Sequence, residues 1–408
     1  MNRRIDETVA VDRERTNARR AITAGFLGWT IDAFDFFVLV FTVSAIAREF
    51  GRSVPAMALT ITASLVTRPV GAFIFGLLAD HLGRRAILIA NILFFSAMEI
   101  LSGLAPSYQW FLVLRLLYGI GMGGNWGVGA SLAMESAPPQ WRGFLSGLLQ
   151  EGYAFGNILA AIAYYVVFPH WGWRSMFFVG AAPALLTIFI CVYVEEPQAW
   201  RESKTDWNTY RLAILKNLPL FLYMVGLMAM MNFISHGTQD LYPTFLQRAR
   251  HFDVDTTSVI SIISMIGAII GGLTFGHLSE RMGRRSAMVV AALTGVMIVP
   301  LWVMAPNKPL IILGAFAMQF MVQGAWGVIP AHINELSPPQ LRGFFPGLAY
   351  QCGVLIASSI AYIEAVLGEH FSYSASMGGL AAAVLLIGAV VIWVGPEAKG
   401  ISFLNQKS

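Results

Sequence analysis

The stretch Gly76-Leu-Leu-Ala-Asp-His-Leu-Gly-Arg-Arg85 has a counterpart 200 residues later, Gly276-His-Leu-Ser-Glu-Arg-Met-Gly-Arg-Arg285. Two more pairs keep the same offset: Gly124-Asn-Trp-Gly127 with Gly324-Ala-Trp-Gly327, and Glu135–Gly143 with Glu335–Gly343. Three matches at one offset indicate an internal duplication, so each half is expected to fold in the same way.

The composition is that of a helical membrane protein. Of the 408 residues, 56% are hydrophobic and 12% are charged, whereas an average soluble domain has about 25% charged residues. Apolar runs of about 20 residues, long enough to cross a bilayer, recur along the chain. We predict an all-α integral membrane protein with twelve spans, at 21–44, 56–79, 86–105, 109–133, 143–168, 174–194, 218–246, 256–279, 286–305, 309–332, 344–367 and 373–395. Because the repeat contains an even number of spans, the halves should be parallel, related by an axis along the membrane normal.

Basic residues predict the orientation in the membrane. Of the 27 arginines and lysines, 19 fall in the two tails and the loops on one side of the predicted bundle. By the positive-inside rule that side, with both termini, is cytoplasmic. The predicted parts are a cytoplasmic tail at 1–20, a six-helix bundle at 21–194, a cytoplasmic linker at 195–217, a second six-helix bundle at 218–395 and a cytoplasmic tail at 396–408. The first tail lacks the features of a signal peptide, and nothing indicates a nucleic-acid partner.

A polar stripe occupies predicted span 7. Asn232, Ser235, His236 and Gln239 share one helix face, and Asp240 lies at its edge. Polar groups are costly in hydrocarbon, so this stripe should face a protein interior or a water-filled path. Tyr242, in the same stretch, is a further candidate for substrate binding.

Span 1 carries two carboxylates at the equivalent position, since Asp32 aligns with Asn232 and Asp35 with Ser235 at the 200-residue offset. Polar stripes at matching positions of the two halves are typical of a binding site at the bilayer midplane. Two nearby carboxylates in a medium of low dielectric constant cannot easily both be ionised, which makes Asp32 and Asp35 candidate proton carriers. The alternative is that they serve as caps or pair structurally with an arginine.

Three other ionisable residues are proton-coupling candidates. His236 and Asp240 are one helical turn apart, so the carboxylate can orient the imidazole or exchange a proton with it. Glu151 in span 5 is the third candidate. A structural hydrogen bond is the ordinary alternative for a histidine.

Two arginines lie inside predicted spans, where charged residues generally have a function. An arginine in a cavity can bind a carboxylate in bidentate fashion. For Arg68 substrate binding is the favoured interpretation, whereas for Arg115 a pairing within the fold is an equal alternative. Glu99 in span 3 is expected to be peripheral.

The repeated loops carry charges that can form a cluster on the cytoplasmic side. We call the following set the gate cluster: Asp80, Arg84, Arg85, Glu135, Arg142, Glu280, Arg284, Glu335 and Arg342. Ion pairs in loops are usually structural, so these residues are not assigned to substrate binding.

These motifs resemble the major facilitator superfamily over essentially the whole chain. Gly76–Arg85 is similar to that superfamily's loop signature, Arg115–Gly121 to its span-4 signature, and Pro396–Gly400 to the ending of sugar-porter-like members. In that superfamily such charge clusters resemble latches of the outward-open state. The resemblance implies a multi-pass protein of the cell (inner or plasma) membrane, with a monomeric functional unit.

Span 7 is similar to a narrower group. Its pattern N-x-x-S-H-x-T-Q-D-x-x-x-T, from Asn232 to Thr244, resembles the fungal lactate and pyruvate permeases within the sialate:proton symporter family, as do Gly28–Phe37 and Arg68. This implies proton-coupled symport of small monocarboxylates, with the span-7 residues and Arg68 in substrate recognition. The proton is the coupling ion, and no cofactor, metal or enzymatic activity is implied. The short central linker departs from the sialate members and argues against sialate itself.

Other functions are compatible with this fold. The cargo could be another organic acid, namely sialate, an aromatic acid or a dicarboxylic acid. A proton/drug antiporter usually has a Gly-Pro pair in span 5, which Gly143–Phe168 lacks. A membrane sensor without transport activity would need a larger cytosolic part than the tails and linker provide.

Overall fold

The computed structural model describes residues 2–181, 184–203, 206–240, 242–358, 360, 363, 367 and 370–403. Within these ranges the chain is helical and contains no β-strand. The helices are α1 (Asn2–Glu49), α2 (Val54–Leu82), α3 (Arg84–Gly103), α4 (Tyr108–Ser136), α5 (Arg142–Gln150), α6 (Gly152–Gly180), α7 (Ala184–Tyr193), α8 (Gln198–Ser203), α9 (Trp207–Lys216), α10 (Leu218–Gln239), α11 (Tyr242–Arg248), α12 (Val254–Met282), α13 (Arg284–Met304), α14 (Lys308–Leu336), α15 (Phe345–Ala357) and α16 (Tyr373–Val394).

Nine helical segments of the described chain are long and apolar enough to cross a membrane. One of them, Arg142–Ile190, covers predicted spans 5 and 6 together. Within α6 the backbone turns at Gly172, whose φ of 71° and ψ of −173° are not helical. The end of predicted span 11 lies largely outside the described residues, as do 204–205 of the linker and 404–408 of the second tail. The count of twelve spans therefore stays a prediction.

The polar segment 1–20 is predicted to be a cytoplasmic tail, and in the structure α1 begins at Asn2 and continues into the first span. Predicted span 7 contains α10, which ends at Gln239, and α11, which starts at Tyr242, and residue 241 between them lies outside the described residues. The linker also contains two short helices, α8 and α9.

Equivalent helices make equivalent contacts in the two halves. In the first half α2 and α3 pack on α4, and in the second α12 and α13 pack on α14. Across the halves, α5 packs on α12 and α14, while α15 packs on α2 and α4. The described packing thus supports the duplication found in the sequence.

Glycines allow the halves to approach closely at one end of the bundle. A Cβ atom on Gly147 of α5 would lie 2.5 Å from the carbonyl oxygen of Gly272 in α12. A Cβ on Gly127 of α4 would lie 2.4 Å from the Cα of Gly347 in α15. Because these neighbours are backbone atoms, a side chain at either position would force the halves apart.

The repeated loop motif owes its glycines to a capping carboxylate. Gly83 and Gly283 have φ values of 116° and 93°, which disfavour other residues. A Cβ atom would also lie 2.6 Å from a carboxylate oxygen of Glu196 and 2.8 Å from one of Glu397. Glu196 accepts from the backbone N–H groups of α3 and Glu397 from those of α13. Negative charge at a helix N-terminus is stabilising, so each carboxylate fixes the start of its helix.

The glycine contacts predict that Gly147→Val opens this end of the bundle. Cysteine placed at buried Ser131, whose hydroxyl donates to the Arg342 carbonyl across the halves, should react faster with a hydrophilic maleimide in the Gly147→Val protein. A change of about 1.4 kcal/mol in the closing equilibrium alters the reaction about tenfold. The measurement uses a background without Cys191 and Cys352.

Gly226→Ala is the matched control, since a Cβ on Gly226 of α10 meets nothing within 4 Å. The control should react as slowly as the parent protein. Equal rates in all three proteins would contradict the proposed role of the Gly147 contact.

Candidate functional site

A cavity lies between the two halves, near the middle of the helices, with a volume of about 220 Å³. Both halves contribute to its wall. Its described lining residues are Trp29, Asp32, Ala33, Phe36, Leu65, Arg68, Gln150, Tyr153, Asn232, Ser235, His236, Gln239, Asp240, Gln323, Trp326, Tyr350, Val354, Ala357, Ser358 and Ile360. The predicted stripes of α1 and α10 therefore share one cavity.

The first-half wall contains one cation and one carboxylate. Arg68 of α2 is the single arginine or lysine among the described lining residues. It lies close enough to Asp32 of α1 for the two opposite charges to interact. Its Nη2 contacts the sulfur of Met122 at 3.2 Å, and its buried Nε has no described partner. The guanidinium thus retains donor capacity for an anion.

The second-half wall is formed by the polar stripe of α10. His236 Nδ1 lies 3.3 Å from Asp240 Oδ1, and both side chains are about two-fifths exposed. Several amides are already hydrogen-bonded. Asn232 donates to the Met228 carbonyl at 2.8 Å, and Gln239 donates to the Gln319 side chain at 2.7 Å. His236, Asp240 and Ser235 are therefore the stripe's more available groups.

Asp35 and Arg115 do not reach the cavity. Positions three apart on a helix differ by about 60° around its axis, and this turns Asp35 away from Asp32 toward α3 and α4. Arg115 Nη2 lies 2.8 Å from Glu99 Oε2 and also donates to Ser102. Asp35, Glu99 and Arg115 are all fully buried inside the first half.

This placement corrects the expectation for Glu99 and favours one of the two alternatives for Arg115. Glu99 is not peripheral, because it supplies the counter-charge of Arg115. For Arg115 the structure favours the pairing within the fold over contact with a substrate. Asp35 remains a candidate proton site, but one buried behind the cavity wall.

Tyr242 and Glu151 also lie outside the cavity. The Tyr242 ring stacks on Trp302, with centroids 4.9 Å apart, and its hydroxyl donates to the Trp302 carbonyl. It belongs to the apolar core of the second half, which corrects its assignment to substrate binding. Glu151 follows α5 and lies over Gly272 of α12, so it is buried in the contact between the halves.

The gate cluster is a pair of equivalent ion-pair networks. In the first half, Arg84 binds Glu135 through Nε and Nη2 at 3.3 and 2.9 Å, and Asp80 at 2.6 Å. In the second half, Arg284 binds Glu335 at 2.9 and 3.1 Å and Glu280 at 3.2 Å. Bidentate pairing of arginine with a carboxylate is the strong form of this interaction.

Reciprocal bonds connect the two networks. Gly343 N–H donates to Asp80 at 2.7 Å, and Gly143 N–H donates to Glu280. Arg142 of the first half also binds Glu335 of the second at 3.0 Å. The gate arginines 84, 142, 284 and 342 are buried, so the cavity is closed at this end. Arg85 of the gate cluster instead donates from its Nε to the Ile190 carbonyl of the same half.

The linker adds buried groups to the same end. The Tyr210 hydroxyl of α9 donates to Asp80 at 2.9 Å. Burial, reinforced by that carboxylate, raises the pKa of Tyr210 above its ordinary value, so the phenol stays a donor at neutral pH. Burial also raises the pKa of Glu196, although the α3 backbone N–H groups act in the opposite direction.

The aromatic and glutamine part of the wall was not predicted from the sequence. Trp29, Trp326 and Tyr350 form its deep end, beside Gln150 and Tyr153. Two signals were present: Gln150 and Tyr350 occupy the same position of the repeat, and Trp326 belongs to the repeated Gly-x-Trp-Gly motif. Trp29 and Tyr153 carry no such signal, because aromatic residues are equally common in lipid-facing and core positions.

Comparison with known proteins agrees with the fold. The family model described as Major Facilitator Superfamily matches residues 25–246 and 228–407. The carboxylic acid transporter protein homolog of Saccharomyces cerevisiae is 30% identical over 384 residues, covering 87% of this chain and 62% of its own. The chain thus spans less than two thirds of that relative's length. The sialic acid transporter NanX of Escherichia coli is 27% identical over 365 residues, covering 88% of this chain and 89% of its own.

Solved structures show the same fold at low identity. The proton:xylose symporter XylE superposes with a TM-score of 0.73 at 18% identity, covering 95% of this chain and 98% of its own. The human organic anion transporter MFSD10 gives a TM-score of 0.70 at 15% identity, covering 92% and 99%.

The two span arginines should differ in their effect on stability. Arg115→Met leaves Glu99 as a buried, uncompensated charge, and breaking such a pair costs about 3–5 kcal/mol. Arg68→Met removes a cation from the cavity wall, where Asp32 can become neutral by taking a proton, and should change the unfolding temperature much less. Thermal unfolding of the purified protein in detergent, followed with a thiol-reactive dye, compares the two.

Adding Glu99→Gln to Arg115→Met removes the second charge and should restore part of the lost stability. If Arg115→Met and Arg68→Met unfolded at the same temperature, the assignment of Arg115 to the fold would be wrong.

Proposed function

The chain belongs to the Major Facilitator Superfamily, and we propose that it is a proton-coupled symporter of small monocarboxylates that works by alternating access. It is a multi-pass protein of the cell membrane, and its relatives include transporters named for carboxylic acid and sialic acid. Those names support an organic acid as cargo. The monomer contains a complete cavity, and we propose it as the functional unit.

One observation carries the choice of cargo. Arg68 is the single fixed cation among the described cavity residues, and its Nε is buried without a described partner. An unpaired buried donor of this kind is costly unless an acceptor fills the site. A carboxylate can accept two parallel N–H bonds from one guanidinium. A cargo with one carboxylate therefore matches the single fixed cation of the described wall.

Coupling to a proton follows from competition for Arg68. In the empty cavity Asp32 is near enough to act as its counter-charge. When a substrate carboxylate binds Arg68, two carboxylates share one cation, and both cannot easily be ionised in a site of low dielectric constant. A proton on Asp32 restores neutrality, so the fully loaded site closes at lower cost than a partly loaded one. We propose Asp32 as the first proton site.

His236 and Asp240 extend the proton path. They lie on the opposite wall, where both side chains are partly exposed, and a neutral imidazole can accept a proton at one nitrogen and donate one from the other. We propose that this pair transfers protons between solvent and the deeper Asp32. Glu151 and Asp35 are buried outside the cavity. We propose that Glu151 exchanges a proton when the halves move relative to each other, and that Asp35 does so when the first-half helices move.

The closed gate cluster corresponds to an outward-facing state. The distribution of basic residues assigns the gate end and both termini to the cytoplasm. With that orientation, the cavity is accessible from outside through the exposed ends of His236 and Asp240. Inward opening requires separation of the reciprocal Asp80–Gly343 and Glu280–Gly143 bonds. Neutralisation of the loaded cavity provides the differential stability that such a transition needs.

A second candidate is symport of a different organic acid. The relatives include a probable 4-methylmuconolactone transporter of Cupriavidus pinatubonensis and a cis,cis-muconate transport protein of Acinetobacter baylyi. The single fixed cation of the described wall favours one carboxylate over the two of a dicarboxylic acid.

Uptake by proteoliposomes tests the coupling. Labelled L-lactate should accumulate inside vesicles when the outside is acidic, and a protonophore should abolish the accumulation. One pH unit corresponds to about 1.4 kcal/mol, so coupling to one proton supports up to about tenfold accumulation per unit. Vesicles without protein and vesicles with Arg68→Met are the controls. Equal protein-dependent uptake with and without the gradient would refute proton coupling.

Asp32→Asn should preserve lactate exchange but abolish its coupling to the proton gradient. The amide is neutral at every pH, so exchange of external labelled lactate for internal lactate should continue while gradient-driven accumulation is lost. Asp255→Asn, at an exposed position of α12, is the matched control and should behave as the parent protein. Normal accumulation in Asp32→Asn would remove Asp32 as the proton site.

A further inference from the structure

The deep end of the cavity is built from aromatic rings of both halves. Tyr350 of α15 has its ring centroid 6.2 Å from that of Trp29 and 6.0 Å from that of Trp326, both edge-to-face. On its far side Trp126 lies 4.5 Å away. Tyr153 of α6 joins the group at 5.8 Å from Trp29. We call Trp29, Tyr153, Trp326 and Tyr350 the aromatic floor.

Two buried nitrogen donors of residues beside these rings have no described hydrogen-bond partner. Trp29 is 4% exposed, and its indole nitrogen is buried without a described hydrogen-bond partner. The buried Nε of Arg68 has none either, and Arg68 is close enough to Tyr350 to act on it electrostatically. Buried indole N–H groups usually find an acceptor. These two nitrogens lack the acceptor that such buried donors ordinarily have.

Several other donors of the wall each make a hydrogen bond within the protein. Trp326 donates its indole N–H to the Met231 carbonyl at 3.1 Å. Asn232 and Gln239 each donate an amide hydrogen to a protein oxygen, and Gln323 donates to Ser235 at 3.5 Å. A cargo with many hydroxyl groups would compete with these bonds, whereas a flat apolar body leaves them in place.

The volume of the cavity is sufficient for a six-membered ring. An apolar cavity of about 150 Å³ accommodates benzene, and the volume here is about 220 Å³. The difference is enough for one carboxylate attached to a six-membered ring. An acid of two or three carbons would fill a smaller part and leave the aromatic surface in contact with water.

We propose that the cavity prefers monocarboxylates with a flat, unsaturated ring, which lies on the aromatic floor while its carboxylate binds Arg68 and the Trp29 indole. This inference rests on the proposed function as a carboxylate transporter and specifies its substrate class. Edge-to-face and offset ring contacts favour an aromatic body over a saturated one of equal size.

Calorimetric titration of the full-length protein in detergent tests the preference. The ligands are benzoate, cyclohexanecarboxylate and L-lactate, which share one carboxylate but differ in planarity and size. Benzoate should bind about threefold to tenfold more tightly than cyclohexanecarboxylate, the factor that one or more ring contacts provide. It should also bind more tightly than lactate.

Two tyrosine variants on α6 test the contribution of the aromatic floor to this preference. Tyr153→Leu should reduce the ratio of benzoate to cyclohexanecarboxylate affinity toward one. Tyr165→Leu makes the same chemical change at a residue that is 82% exposed and should leave the ratio unchanged. A monodisperse gel-filtration profile establishes that each variant is folded.

The outcomes separate this inference from the proposed function. If lactate is accumulated by a proton gradient but benzoate binds no better than cyclohexanecarboxylate, the ring preference is wrong and monocarboxylate symport stands. An unchanged ratio in folded Tyr153→Leu would also overturn the role of the floor. If no carboxylate is bound or transported, both ideas fail.

Discussion

Buried charge is the constraint on which the rest of this structure depends. Four arginines of the gate cluster lie out of water where the two halves meet, at Arg84, Arg142, Arg284 and Arg342. Moving a charge out of water costs several kcal/mol even after relaxation, and removal of one partner of a buried pair is strongly destabilising. The bidentate contacts with Glu135 and Glu335 compensate this cost within each half.

The reciprocal contacts depend on how closely the two halves approach each other. The Asp80 and Glu280 carboxylates each accept a backbone N–H from the opposite half. Those bonds require the glycine contacts below them, since a single Cβ at Gly147 would separate the backbones. Helix α4 joins this closed end to the aromatic floor. Trp126, beside the floor, and Glu135 of the gate cluster are about 14 Å apart on this helix, at 1.5 Å per residue. Cavity and gate are therefore connected through α4.

The fold and half of the site could be predicted from sequence because their signals are local or repeated. The 200-residue offset exposed the duplication, and the spacing of Asn232, Ser235 and His236 placed them on one face. Arg68 and Arg115 could not be distinguished in that way, because both are arginines in apolar spans. Only the position of Glu99 on α3 shows which arginine is neutralised within the fold. Likewise, the direction of Asp35 depends on neighbouring helices, and the floor depends on rings from four distant segments.

The capping carboxylates of Glu196 and Glu397 also bear on biosynthesis. Glu196 lies 112 residues after the helix start that it caps, and Glu397 lies 113 residues after its own. At about 5–20 residues per second, a ribosome reaches each cap on the order of ten seconds after its motif. Each cap thus becomes available as its own half is completed, whereas the Asp80–Gly343 bond spans 263 residues and must wait for the second half. The chain can accordingly finish one half as a folding unit during synthesis and close the gate last.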